Sequence, residues 1–289
     1  MKSSTGKRIA AAGAALVTST ALMLGVPSSG SAAAATPSLR AFGITGDGTL
    51  MAMFTTDRPN VLDWVRAVTG LVGDTKLVGI DVRPQDGLMY GVGERGGIYT
   101  IKTPPATTDV VVTKVSQLQV TLYGTNFDVD FNPAADRLRV ISDQGQNLRH
   151  NLNDHTTASD ATLTTPPAGT ATGVSAAAYT NNDLDPATVT TLVDINTATD
   201  QVVLQSPANN GTLAPTGALG IDAGANAGMD IFSYLTNGKT TSVAAFAALT
   251  PYGASTPSLY SVNIITGEAT PIAQFPLNIT DLAITLSGT

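Results

Sequence analysis

Four stretches of this sequence follow one plan. LVGIDVRPQDGLMYGVGERGGIYTI from Leu77, FDVDFNPAADRLRVISDQGQNLRHNL from Phe127, TGVSAAAYTNNDLDPATVTTLVDI from Thr172 and AGMDIFSYLTNGKTTSVAAFAALT from Ala227 each give a small or apolar opening strand, a polar turn and a second strand. The later half of the unit recurs as TLVDINTATDQVVLQ from Thr191 and SLYSVNIITGEATPIAQF from Ser258, where Asn-led turns separate two strands. A period of about fifty residues with about four strands per unit is the pattern of a β-propeller, in which each unit buries its faces only against its neighbours. Between the strands lie Gly, Pro, Asn and Asp clusters, the punctuation of tight turns. Only Val61 to Val68 reads as either a helix or an outer strand.

Counting units closes a ring. Leu39 to Pro59 reads as a unit without its opening strand, and ITDLAITLSGT at the C-terminus reads as an opening strand with no unit behind it. The sequence therefore predicts an all-β fold, a propeller of about five four-stranded blades, with six as the alternative. The first blade is completed by the strand around Ile279 to Leu286.

The N-terminus predicts export. Lys2, Lys7 and Arg8 precede an apolar run from Ile9 to Val26, and small residues follow it up to Ala35. A removed signal over residues 1–35 fits this better than a membrane anchor, leaving a single propeller domain over 36–289, secreted or on the exterior of the cell envelope. No later segment is long and apolar enough to span a bilayer. The absence of cysteine rules out disulfides, thiolate metal sites and thiol nucleophiles. A net charge of −7 argues against a nucleic-acid partner and leaves a small molecule, a glycan or an envelope protein, bound by a monomer.

Charge is concentrated in one place. Only 13% of the residues are charged, yet Asp128, Asp130, Asp136, Arg137, Arg139, Asp143 and Arg149 fall within thirty residues. Period-2 alternation puts Arg137 and Arg139 on one face of a strand and Leu138 and Val140 on the other. An arginine between packed sheets needs a carboxylate, so Asp128, Asp143, Arg137, Arg139 and Arg149 are expected in a structural ion-pair network, with Asp130 a further candidate acid. The opposing reading puts acids on the axis: opening strands line a propeller's channel, so Asp81, Asp130, Asp230 and Asp281 would project a carboxylate ring there. Such a ring repels itself unless protons or a cation occupy it, and its hard oxygens suit Ca²⁺. No cofactor is required by the sequence otherwise.

Catalytic signatures are sparse. His150 and His155 are the two histidines, and no third zinc ligand is marked. There is no Gly-x-Ser-x-Gly elbow. Gly91-Val-Gly-Glu-Arg-Gly96 matches a dinucleotide fingerprint in letters but has no helix after it. Leu213-Ala-Pro-Thr-Gly217 resembles a sorting signal but lies far from the C-terminus, and is expected in a loop.

From Leu39 to Leu286 the chain resembles a bacterial exported family known as the domain of unknown function numbered 4394. The resemblance is carried by the Asp-Phe-Asn-Pro…Asp-Arg-Leu-Arg-Val…Gly-Gln-Asn-Leu-Arg run, Ala178-Tyr-Thr-Asn181, Gly217-Ala-Leu-Gly220, Gly228-Met-Asp-Ile231 and SLYSVNIITGEAT. It implies an exported propeller-like module and brings no activity with it. The reading is thus a non-enzymatic binding module whose ligand sits at one end of the channel near Asp81, Asn126, Asp130, Tyr179, Asn181 and Asp230. The alternative is an exported hydrolase or lyase using a channel-bound divalent cation, with His150 as acid/base.

Overall fold

Short apolar runs cut by turn residues become short antiparallel strands, because each run is long enough to cross a sheet once and each turn sends it back. The computed structural model describes residues 35–167, 169–185 and 187–289; the expected export signal lies outside them except for Ala35. The strands are β1 (Arg40–Thr45), β2 (Leu50–Thr55) and β3 (Trp64–Thr69), then β4 (Leu77–Val82), β5 (Met89–Gly93), β6 (Gly97–Lys102) and β7 (Val110–Gln117). A third group holds β8 (Phe127–Asn132), β9 (Arg137–Ser142), β10 (Asn147–Asn151) and β11 (Thr156–Ser159). The fourth holds β12 (Val174–Tyr179), β13 (Leu192–Asn196), β14 (Gln201–Gln205) and β15 (Leu213–Ala218). The last holds β16 (Ala223–Thr236), β17 (Lys239–Pro251), β18 (Ser258–Val262) and β19 (Ala269–Gln274), and β20 (Ile279–Ile284) ends the chain. The ambiguous stretch at Val61 resolves as strand β3, and Leu213–Gly217, expected in a loop, lies in β15. No helix among the described residues is long and apolar enough to cross a membrane.

The fold is all-β and propeller-like, built of four-stranded antiparallel sheets. β8 to β11, β12 to β15 and β16 to β19 each form one such sheet in chain order. β1 to β3 take β20 as their fourth strand, in antiparallel register with β1 (Phe42 opposite Ala283). A two-residue parallel bridge, Val68 to Val110 and Thr69 to Val111, joins this sheet to β4–β7 at the outer strands β3 and β7. The inner strands touch in the order β20, β4, β8, β12, β16 and back to β20.

The core is divided accordingly into five apolar layers, one between each pair of neighbouring sheets. Phe54, Phe246 and Phe275 fill one, and Met51, Tyr99 and Val110 another. Phe131 and Leu138 meet Tyr90 and Val92 in a third, and Met229 and Ile231 meet Val193 and Ile195 in a fourth. The fifth, between the third and fourth sheets, is built differently: Val174, Tyr179, Leu192 and Leu213 face it from one side, and Ile141 alone among the clustered buried residues comes from the third sheet's strands.

Three of the hairpin turns share a single chemistry. Asn132, Asn196 and Asn263 each accept two backbone N–H groups with their side-chain oxygen. Four residues on, the chain turns left-handed at Asp136 (φ 51°), Asp200 (φ 52°) and Gly267 (φ 82°). Short polar side chains and glycine are the residues that tolerate that conformation.

Candidate functional site: a carboxylate axis and its two ends

Five aspartates meet where the inner strands converge. Asp81, Asp128, Asp130, Asp230 and Asp281 are all buried, none more than 7% exposed. Each reaches sideways to the backbone of another inner strand. Asp81 accepts from Phe131 N at 2.7 Å, Asp130 from Tyr179 N at 3.1 Å and Asp230 from Ile284 N at 2.5 Å. One pleat earlier, Asp281 accepts from Ile80 N at 2.7 Å, and Asp128 from Ala177 N at 2.8 Å and Met229 N at 3.2 Å. A short side chain with two acceptor oxygens thus ties neighbouring blade edges together without needing a base. The small residues between them are required by space. A Cβ at Gly228 would lie 2.4 Å from the Asp281 Cα and 2.6 Å from the Thr280 carbonyl oxygen, and one at Gly79 would lie 2.9 Å from Val129.

The electrostatics are those of acids withheld from water. Burial pushes the Asp81, Asp128 and Asp130 carboxyls well above the usual range, and neighbouring aspartates push them further. Burial raises Asp230 to about 6 and Asp281 to about 7, while backbone N–H donors resist the shift. The charge of Asp281 raises Asp128 further, a repulsion that a proton on either carboxyl relieves. One oxygen each from Asp81, Asp130 and Asp230 lie within 4.8 Å of one another. That spacing admits shared protons, and also a Ca²⁺ ion with oxygen ligands at about 2.3–2.6 Å.

Each end of the axis opens into a recess. Where the inner strands begin, a small one of about 30 Å³ is lined by Thr45, Lys76, Asn126, Asn226, Thr280 and Asp281. Where they end, a larger one of about 320 Å³ is walled by Pro84, Leu184, Phe232, Leu235 and Leu286, with Asn182, Asp183 and Ser233 supplying polar groups. Leu184 and Leu235 are half exposed there, at 55% and 47%.

The structure disperses several residues expected together. Asp81, Asp130 and Asp230 converge, but inside the axis. Asn126 lies before β8 at the narrow recess, where its amide donates to Asp143 at 2.9 Å. Asn181 follows β12, has φ 67° and donates to the Val189 carbonyl at 2.6 Å, so it shapes a loop. The Tyr179 side chain leaves the axis, its hydroxyl accepting from Arg139 Nε at 3.2 Å.

The arginine network also has other partners than the expected ones. Asp128 belongs to the axis, and Asp143 accepts from Thr125 N and Asn126 rather than from an arginine. The acid that Arg139 and Arg149 share is Asp160, at 2.7 and 2.8 Å, a residue the sequence reading passed over. Arg137 donates to the carbonyls of Ala135 and Asp136. Asp160 lies one residue past β11, which pairs with the strand that carries Arg149, a placement that only the structure discloses. His150 is buried, with Nε2 at 2.8 Å from the Ser116 hydroxyl, whose other neighbour is His155 Nδ1 at 2.9 Å. It stands apart from the axis, so it cannot act as acid/base to a group bound there.

Comparison with solved structures finds remote likenesses, among them the following. A protein of unknown function from Bacteroides thetaiotaomicron is 14% identical with a TM-score of 0.45, over 87% of this chain and 68% of that one. An auxiliary nutrient binding protein from the same organism is 11% identical with a TM-score of 0.43, over 79% of this chain and 57% of that one. The WD40 domain of Toxoplasma gondii coronin is 10% identical with a TM-score of 0.40, over 82% and 55%. None of the curated proteins compared matches the sequence. At the level of sequence the match is direct, spanning residues 50–283: the chain belongs to the family described as Domain of unknown function (DUF4394).

Proposed function

We propose that this chain is an exported, non-catalytic binding protein, a five-bladed propeller whose first blade is completed by β20, and that it takes a small ligand in the recess where the inner strands end. The observation that carries the reading is that recess: about 320 Å³, with apolar walls and a few fixed polar groups, the composition of a small-molecule or glycan site. The acids of the axis serve in this reading as fasteners, since every one is buried and bonded to backbone. A structural divalent cation among Asp81, Asp130 and Asp230 is the second reading, favoured by their 4.8 Å spacing. Hydrolysis at such a cation would need substrate to reach ligands that are 4–7% exposed.

The test is a thermal-shift screen of small glycans and peptides against the wild type and Leu235→Arg, a change at a half-exposed wall residue. A ligand that raises the wild-type Tm and leaves the variant unmoved supports the recess. Ligands that stabilise both proteins equally would place binding elsewhere. EDTA and Ca²⁺ arms in the same plate test the cation, which must raise Tm if it binds only the folded chain.

A further inference from the structure

The layer between the third and fourth sheets takes few apolar side chains from the third sheet, whose β9 and β10 send arginines toward it instead. Register places Arg139 on β9 directly opposite Arg149 on β10, and Arg137 lies two residues from Arg139 on the same face. Like charges opposite one another are unfavourable unless something offsets them. Every nitrogen of Arg139 is engaged: Nε to the Tyr179 hydroxyl at 3.2 Å, Nη1 to Asn147 at 2.6 Å and Asp160 at 2.7 Å, Nη2 to Asn209 at 2.9 Å. Arg149 uses only its Nε, on both oxygens of Asp160, and Arg137 only its Nη1, on two carbonyls. Among the described residues, the remaining donors of Arg137 and Arg149 have no protein acceptor.

Three guanidiniums therefore face one carboxylate, in a chain whose overall charge is −7. The other acids nearby have other partners or none; the exposed Asp154, which feels the charge of Arg137, accepts from Thr156. Asp136 is committed to Arg83 at 2.6 Å. Asp194 is buried with neither oxygen hydrogen-bonded, so it makes no ion pair with the arginines, and burial pushes its carboxyl well above the usual range against the pull of Arg139. The three arginines, with Asn132, Tyr179 and Asn209, enclose a recess of about 80 Å³. Against about 30 Å³ per liquid water, that is the space of a single phosphate, sulfate or carboxylate group. Asn132, Tyr179 and Asn209 also line an adjoining groove of about 450 Å³, whose further walls are Thr190, Thr191, Gln205, Ser206 and Asn210. Planar guanidinium forks match an oxyanion, and amides and hydroxyls match sugar hydroxyls.

We propose that this inter-sheet recess binds a small hydroxylated molecule carrying one compact oxyanion, a phosphorylated or carboxylated sugar, with the oxyanion between Arg137 and Arg149 and the hydroxyls along the groove. Arg139, held by four neighbours, positions the site from behind. The site is separate from the recess at the end of the axis and does not depend on it.

Calorimetric titration of the full chain with glucose 6-phosphate, glucuronate, inorganic phosphate and glucose tests this directly. Glucose 6-phosphate or glucuronate should bind in the millimolar range or tighter, more weakly as salt rises, while glucose does not; whichever binds identifies the oxyanion. Arg149→Gln should weaken binding about tenfold or more with Tm nearly unchanged, and Arg149→Lys should recover part of it. Arg137→Gln, which breaks no ion pair, is the second variant if the first destabilises the chain. Leu235→Arg should bind these probes as the wild type does. The proposal is overturned if neither anionic sugar binds, if glucose or inorganic phosphate binds as tightly as they do, or if both glutamine variants bind unchanged.

Discussion

Asp130 of the axis and the arginines of the recess lie on one face of one sheet, yet the two regions solve the problem of buried charge in opposite ways. Across β8, β9 and β10 the register runs Asp130, Arg139, Arg149, so an acid stands directly beside a base. They nevertheless form no ion pair. Asp130 turns inward to the Tyr179 amide, and Arg139 turns outward to Asp160 and to the hydroxyl of the same tyrosine. Distance from the axis decides the outcome. Where the strands converge there is room for glycine, alanine and a short carboxyl that can reach the next backbone, as the crowding at Gly228 shows. Further out the sheets diverge, and a guanidinium fits. The axis is left with acids and no base, held by amides and shared protons, and the recess with three bases and one acid.

The largest expected effect tests whether the arginine side is the more tightly committed. Arg139→Met should cost about 3–5 kcal/mol in urea unfolding, because it removes four buried hydrogen bonds and leaves the buried Asp160 carboxylate with the Arg149 Nε alone. Asp130→Asn, which keeps the shape and an acceptor, should cost distinctly less. If the order is reversed, the contrast between the two regions is wrong.

Next comes pH. Asp230 and Asp281 have folded values of about 6 and about 7, raised by burial from an ordinary 3.8. A raised acid contributes stability in full below its unfolded value and loses it as pH climbs through the folded one. His150 runs the other way: burial, and then His155, lower it to about 4 from 6.5, so its contribution is present above pH 6.5 and lost as pH falls toward 4. The two trends oppose each other between pH 4 and 6.5. From pH 6.5 to about 7 the axis acts alone, and chemical denaturation should show stability still falling. Asp230→Asn should flatten the decline between pH 4 and 6, by about 2–3 kcal/mol for a shift of this size. A decline that Ca²⁺ abolishes in the wild type would identify a cation on the axis; an unchanged profile in the variant would remove Asp230 from the argument.

The smallest effect is the control. Lys239 and Asp185 pair at 2.8 Å on the surface, and Lys239→Ala should leave the melting curve where it is, since exposed pairs are screened and cost side-chain freedom to form.

What the sequence disclosed followed from local chemistry. The turns at Asn132, Asn196 and Asn263 were readable because an asparagine that caps its own turn needs no distant partner. The unit that starts without its inner strand and the tail that is only an inner strand were readable because a repeat betrays its own gaps. The division of the acids was not readable. Asp128 and Asp130 share a face by period 2, and nothing local says whether that face looks to the axis or to an arginine. Asp160 escaped because its role depends on where β11 delivers it, opposite the side of the sheet that carries two guanidiniums. The arginine recess, likewise, exists only through the spacing of two sheets.

The pairing of β20 with β1 gives the chain an unusual order of events. The amide of Ile80 bonds to Asp281, 201 residues away, so the fastening of the second inner strand waits for the last one. Contacts of such span slow folding, because a long loop must close before any reward is felt. Losing Ile279–Ile284 would therefore not trim an edge. It would remove a strand, the carboxyl that holds β4 and the amide that holds Asp230 in one cut, so a protease nick in this short segment would act as a release catch for the inner strands it fastens.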